Sequence, residues 1–99
     1  MLNKEIINTL IETKQYSKLQ NTFIDEYYLV IKNFLIKNNI HLNGNETLHN
    51  LLSSLKINFP EHKNIVHLIN IPLLSEEMSD VEKVLEYMDD YNYIISALT

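Results

Sequence analysis

Apolar residues recur at three- and four-residue intervals along nearly the whole chain, and no stretch of useful length alternates as a half-buried strand would. Ile6, Ile7, Leu10 and Ile11 predict a short amphipathic helix over the first dozen residues, which Lys14 to Ser17 would end. From about Ser17 to Lys37 two stripes run side by side. Leu19, Phe23, Val30 and Phe34 make one, and Ile24, Tyr28, Ile31 and Leu35 make the other. A helix apolar over so much of its circumference packs against more than one neighbour, so this is the expected central element of a bundle. Asn38, Asn39 and the run Asn43-Gly44-Asn45 form the most turn-like stretch and hold the single glycine, which predicts the main loop. Leu48, Leu51, Leu52 and Leu55 predict a helix from Glu46 to Lys56, ended by residues 57–60. Pro60 then opens a short helix over 61–70, with Ile65, Val66, Leu68 and Ile69 inward, and Pro72 breaks the chain again. Ser79-Asp80-Val81-Glu82 has the Ser-x-x-Glu form of a capping box, so a long last helix is expected to start there. Val81, Val84, Leu85, Met88, Ile95 and Leu98 are its expected inner stripe, with Tyr91 near the seam. The pattern predicts one all-α domain over residues 1–99, a four- to five-helix up-and-down bundle.

Composition narrows the class. A chain of 99 residues is one domain's worth, and 45% hydrophobic with 21% charged residues, one Gly and two Pro excludes a linker, a collagenous chain or a disordered tail. No apolar run approaches the roughly 18 residues of a membrane span, and the start MLNKEIINTL lacks a signal-peptide core, so a soluble cytoplasmic protein is expected. With no Cys, disulfides, thiolate catalysis and Cys-based zinc sites are out.

Charge narrows the partners. The net charge is −5, all eight basic residues are Lys, and there is no Arg. Arg is the preferred bidentate partner of phosphates and guanine edges, so direct nucleic-acid binding is not expected. From Ser75 onward the carboxylates Glu76, Glu77, Asp80, Glu82, Glu86, Asp89 and Asp90 face Lys83 alone. This is either a solvated acidic face or an acidic docking surface for a basic partner.

Candidate chemistry is sparse. Glu46-Thr47-Leu48-His49 is a single Glu-x-x-His, without the second copy that a carboxylate-bridged dimetal bundle needs. His62 and His67 lie five apart, His41 sits at the loop, and no His pair has the four-residue spacing of a helical zinc pair. No metal or other cofactor is expected, and the histidines read as exposed or hydrogen-bonded structural residues. There is no Gly-x-Ser-x-Gly elbow and no glycine-rich anion cradle. The pairs Glu76-Glu77 and Asp89-Asp90 are adjacent, so on a helix their side chains diverge by about 100°. No catalytic residues are expected. What remains is Tyr87 and Tyr91, four apart and flanking Asp89 and Asp90, with Tyr93 following. Such a Tyr and Asp surface suits protein contact, and these five are the candidate partner-binding residues. The alternative is that the tyrosines sit at the core's edge with wet hydroxyls.

The order and texture of these helices resemble the HEPN superfamily, small helical bundles found beside minimal nucleotidyltransferases and in bacterial conflict systems. The hydrophobic helix FIDEYYLVIKNFLIKNNI, Phe23 to Ile40, looks like the helix of those proteins that leads into a Gly-containing loop. TLHNLLSSL, Thr47 to Leu55, is similar to their His-x-Leu-x-x-Leu-type short helix, with His49, Leu52 and Leu55 in comparable places. The break at Pro60, a short helix, another break and a final helix complete a resemblance over roughly residues 17–98. Many members are ribonucleases whose dimer interface presents an Arg followed four to six residues later by a His. This chain departs from that pattern. Its nearest imitation is Lys56 and His62, with Pro60 between them, and Lys63 to His67 has only three residues between. Lys cannot supply a planar bidentate fork. The resemblance therefore implies a non-catalytic module that dimerises or binds a protein partner such as a nucleotidyltransferase supplied in trans. A degenerate ribonuclease using His62 or His67 with a Lys is one alternative. The small helical bacteriocin immunity proteins, or an acidic inhibitor imitating nucleic acid, are the others.

Overall fold

Asn3 starts the first helix by accepting the Ile6 backbone N–H on its side-chain oxygen at 3.0 Å, the N-cap role in which a short amide satisfies an orphan donor. In the computed structural model, which describes residues 2–69 and 78–99, this helix, α1, runs Lys4–Glu12. It stops in a Schellman turn: Lys14 N–H donates to Ile11 O at 3.0 Å and Gln15 N–H to Leu10 O at 2.8 Å. That turn forces Lys14 into the left-handed region, with φ 55°.

Helix α2, Tyr16–Lys37, is the central element, and α1, α3 and the last helix all pack on it. Leu19, Phe23, Tyr27, Ile31 and Leu35 are its buried residues, each four after the last. A four-residue step advances about 40° round a helix, so this row winds and serves neighbours on several sides. The two expected stripes merge into it. Leu19, Phe23, Ile31 and Leu35 are fully buried, while Ile24, Tyr28, Val30 and Phe34 are half-buried flanks. Tyr27 joins the core because its ring packs between Phe23 and Tyr91, at centroid distances of 6.4 and 5.9 Å. A second Schellman turn ends α2, with Asn39 left-handed at φ 66° and Ile40 N–H donating to Leu35 O at 3.0 Å.

The loop after α2 carries Gly44 at φ 92°, a conformation that excludes other residues without strain. Helix α3 runs Leu48–Asn58, two residues later than the expected Glu46–Lys56. The delay has a cause. Thr47 and Asn50 make a reciprocal capping box, Asn standing where Glu or Gln is usual. A 3-10 turn, Pro60–His62, leads into α4, Lys63–Ile69, with Ile65, Val66 and Ile69 inward. The expected break at Pro72 and the pair Glu76-Glu77 lie outside the described residues.

Helix α5, Val81–Leu98, departs from expectation twice. Its cap is Asp80, which accepts the Glu82 and Lys83 N–H groups at 3.0 and 3.4 Å, one residue after the expected Ser79. Both residues are good caps, and the helix uses the one nearer its first buried residue. The inner stripe is Val84, Tyr87, Tyr91, Ile94 and Leu98. Val81 and Leu85, expected inside, are 50% and 44% exposed. The rings of Tyr87 and Tyr91 reach Phe23, edge-on at 68° and 79°, and this aromatic contact turns the helix so that Val81 and Leu85 face out. Among the described residues the fold is all-α, with every regular element helical.

Candidate functional site: the outer face of helix α5

The five candidate contact residues do not share one surface. Tyr87 and Tyr91 are buried, at 8% and 1% exposure, and belong to the core. Asp89 and Tyr93, four apart, are exposed on the outer side of α5, Tyr93 at 54%. Asp90 lies between, half-exposed, on the side nearer Tyr27. Partial burial pushes the Asp90 carboxyl above its ordinary range, and the charges of Asp89 and Glu86 add to that. Burial, then Asp90, then Tyr91 raise the Tyr27 phenol in turn. Both tyrosines beside Asp90 are therefore neutral at physiological pH.

A second apolar row replaces the expected tyrosine surface. Val81, Leu85, Met88, Asn92 and Ile95 follow steps of four, three, four and three residues, which is heptad spacing and one continuous helical strip. Val81 and Leu85 are exposed, Met88 and Ile95 half-buried, and Asn92 exposed among them. From Leu85 on, this outer row is the inner row advanced by one residue, which places it about 100° round the helix from the core. Leu85, Met88, Asp89 and Asn92 also line a shallow cleft of about 450 Å³ whose far wall is Lys4 at the start of α1. On the solvent side the row is flanked by Glu82, Glu86 and Asp89. Lys83 is the one basic residue of α5, and it sits 3.7 Å from Glu86 in an exposed pair. The apolar row was hidden in the sequence because its residues looked like the core. The signal that separates them is the regular apolar doublet, Val84-Leu85, Tyr87-Met88 and Ile94-Ile95.

The other candidates resolve into local roles. The Glu46 carboxylate accepts the Asn43 and Gly44 N–H groups, the latter at 3.0 Å, and thereby closes the loop ahead of α3. Desolvation alone would raise its pKa, but those backbone N–H groups and Lys32 outweigh it and hold the carboxyl below its ordinary range. The His62 ring packs edge-on against Phe34 at 5.4 Å and tilted against Phe59 at 6.5 Å. His41, His49 and His67 are exposed. His67 shares a cleft of about 340 Å³ with Lys56, Lys63, Asn64 and Val66. No group of three or more His, Asp or Glu suited to a metal ion occurs among the described residues. No helix among them is long and apolar enough to cross a membrane.

No protein-family model matches the chain, and neither a curated protein nor a solved structure does.

Proposed function

We propose that this chain is a non-enzymatic, HEPN-like protein-interaction module that meets its partner through the outer face of α5. The observation that carries this reading is the outer row of α5, where Val81 and Leu85 stand exposed among the described residues and Met88 and Ile95, packed at the core's edge, continue the strip half-buried. A helical strip of this spacing is the form in which one helix packs on another. Leaving it in water forgoes roughly 25 cal/mol for each Å² that a partner would cover. The order of elements supports the HEPN side: a long apolar helix, a Gly-containing loop, a short His-bearing helix, then a final helix. A second copy of the chain or a separate protein such as a nucleotidyltransferase, in a bacterial defence or toxin–antitoxin setting, is the partner this likeness implies. In the immunity-protein or inhibitor alternative, the same face meets a protein from another cell or operon.

Light scattering on the size-separated chain, alone and mixed with the product of the neighbouring gene, tests the reading. A defined complex or homodimer that Leu85→Glu dissolves is the expected result. A monomer that ignores its neighbour and is indifferent to Leu85→Glu removes the α5 face from consideration. One observation favours a second reading, a degenerate ribonuclease: Lys56, Lys63 and His67 line one cleft. RNA cleavage that survives the His62→Ala/His67→Ala double variant unchanged would end that alternative.

A further inference from the structure

The geometry points to a basic amphipathic helix of another protein as the element that docks along the α5 seam, a conclusion that rests on the interaction reading above and specifies its partner. Three features converge on this occupant. First, the seam is helix-shaped. Residues 81–95 span about 21 Å at the α-helical rise, and the 4-3-4-3 steps are those at which a second helix sets its own side chains between them.

Second, the flank is acidic. Glu82, Glu86 and Asp89 border the seam on its solvent side, and Asp90 lies just beyond. Lys83 is the single cation of α5 and is already beside Glu86. Lys or Arg at the partner's flanking positions would meet these carboxylates, and the crowding among Glu86, Asp89 and Asp90 would relax. A second copy of this chain would instead bring Asp89 and its neighbours against their own images, a like-charge contact that opposes binding. Charge complementarity therefore separates a basic helix from self-association.

Third, Asn92 sits within the apolar row, between Met88 and Ile95. A single polar residue at such a seam position sets register, because it is left unpaired unless the partner places a polar group opposite. The partner helix should thus carry one Asn or Gln opposite Asn92 and aliphatic residues elsewhere along its inner face. Lys4, at the start of α1, lines the same cleft as Leu85, Met88, Asp89 and Asn92 and bounds the seam there.

The test titrates the isotope-labelled full chain with designed peptides and follows backbone amide shifts. The basic peptide is an amphipathic helix of about 18 residues, enough to cover the seam. It has Leu and Ile at heptad positions, one Asn opposite Asn92, and Lys and Arg on its flanks. A second peptide keeps the apolar face but carries Glu on the flanks. We expect saturable shifts centred on Leu85, Met88, Asp89 and Asn92 with the basic peptide alone. Affinity should fall about tenfold when salt is raised from near-physiological to about 1 M, where screening reaches about 3 Å. Leu85→Glu should abolish the shifts while the helical signal and melting midpoint stay within error. Asn92→Leu should reverse the preference, so that a peptide with Leu in place of its Asn binds better than the original.

Equal binding of both peptides would overturn the charge argument and leave the interaction face standing. A homodimer that forms through the same seam and is dissolved by Leu85→Glu would overturn the basic-helix occupant, again leaving the face intact. Neither peptide binding, with the chain monomeric and indifferent to Leu85→Glu, would overturn both this inference and the interaction reading.

Discussion

Replacing Tyr91 by Phe should stabilise this protein. The Tyr91 side chain is 1% exposed, and its hydroxyl oxygen is the one buried side-chain polar atom among the described residues with no hydrogen-bond partner. Burial raises the phenol's pKa most, and the Leu2 backbone and the Glu26 carboxylate act on it through loose hydrogen bonding, but neither meets full hydrogen-bond geometry at the Tyr91 oxygen. An unpaired buried hydroxyl costs about 1–3 kcal/mol by mutational data. Tyr91→Phe removes that cost and keeps the ring with its edge-on contact to Phe23 at 6.1 Å and its contact to Tyr27 at 5.9 Å. Against the gain stands the small void left by one oxygen, so the net expectation is a stabilisation of about 0.5–2 kcal/mol. For a domain of this size each kcal/mol moves the melting midpoint by about 4–8 °C. Urea titration followed by circular dichroism measures it, with an unchanged m-value as the sign that the unfolded state has not shifted. Tyr91→Ala, which deletes the ring as well, should cost about 3–5 kcal/mol and so separates packing from polarity. A loss of about 1 kcal/mol or more in Tyr91→Phe would refute the reasoning, because the hydroxyl would then be hydrogen-bonded in solution. Peptide binding should be the same in Tyr91→Phe as in the wild type, since the residue faces inward.

Lys14→Gly should stabilise by about 1 kcal/mol, because Lys14 closes α1 at φ 55° and only glycine is at ease there; denaturant midpoints read this directly. Thr47→Ala should destabilise by about 1 kcal/mol in the same assay, since it removes the hydroxyl that accepts the Asn50 N–H at 3.2 Å. Glu46 and Asp90 should respond to pH with opposite signs. The folded Glu46 carboxyl lies below its ordinary 4.5, so its contribution is complete above that value and is lost as pH falls through the folded one; Glu46→Gln should flatten stability against pH there. The folded Asp90 carboxyl lies above its ordinary 3.8, so its charge costs stability once pH has risen through the folded value. Asp90→Asn should therefore stabilise at neutral pH and have no effect at about pH 3, and a stabilisation that persists there would remove the electrostatic cause.

Helix existence and order were legible in the sequence because three- and four-residue apolar spacing has no other economical explanation. The helical phase of α5 was not. Along that helix an apolar residue is repeatedly followed by another, as in Val84-Leu85, Tyr87-Met88 and Ile94-Ile95, and hydropathy alone does not say which member of each pair faces the core. The aliphatic members read as core and the tyrosines as surface, because a phenol carries a polar tip. Packing reversed that choice: Phe23 sits where the flat rings of Tyr87 and Tyr91 stack edge-on against it. Tyr27 lies outside both expected stripes of α2, and only the packing of its ring against Phe23 and Tyr91 brings it into the core. The cap of α5 was displaced by one residue because Ser79 and Asp80 are adjacent and both competent, and only the register of the buried row decides between them. Of the candidate site, Asp89 and Tyr93 lie outward as a contact surface requires, while the apolar half of that surface was hidden among residues assigned to the core.

This interleaving makes α5 separable by mutation. Because the outer row is the inner row advanced by one residue, substitutions at the exposed Leu85 and Asn92 change the outer strip while leaving the buried Val84, Tyr87 and Tyr91 in place. Polar replacement at an exposed helical position away from caps and core shifts stability by only about 0.5 kcal/mol, whereas truncation of an inner residue costs several. Loss of partner binding in Leu85→Glu with an unchanged melting midpoint therefore reports on the surface alone. Loss of binding in a destabilised Val84→Ala reports on the fold. A helix whose apolar residues served the core alone would have no face on which the first result could occur.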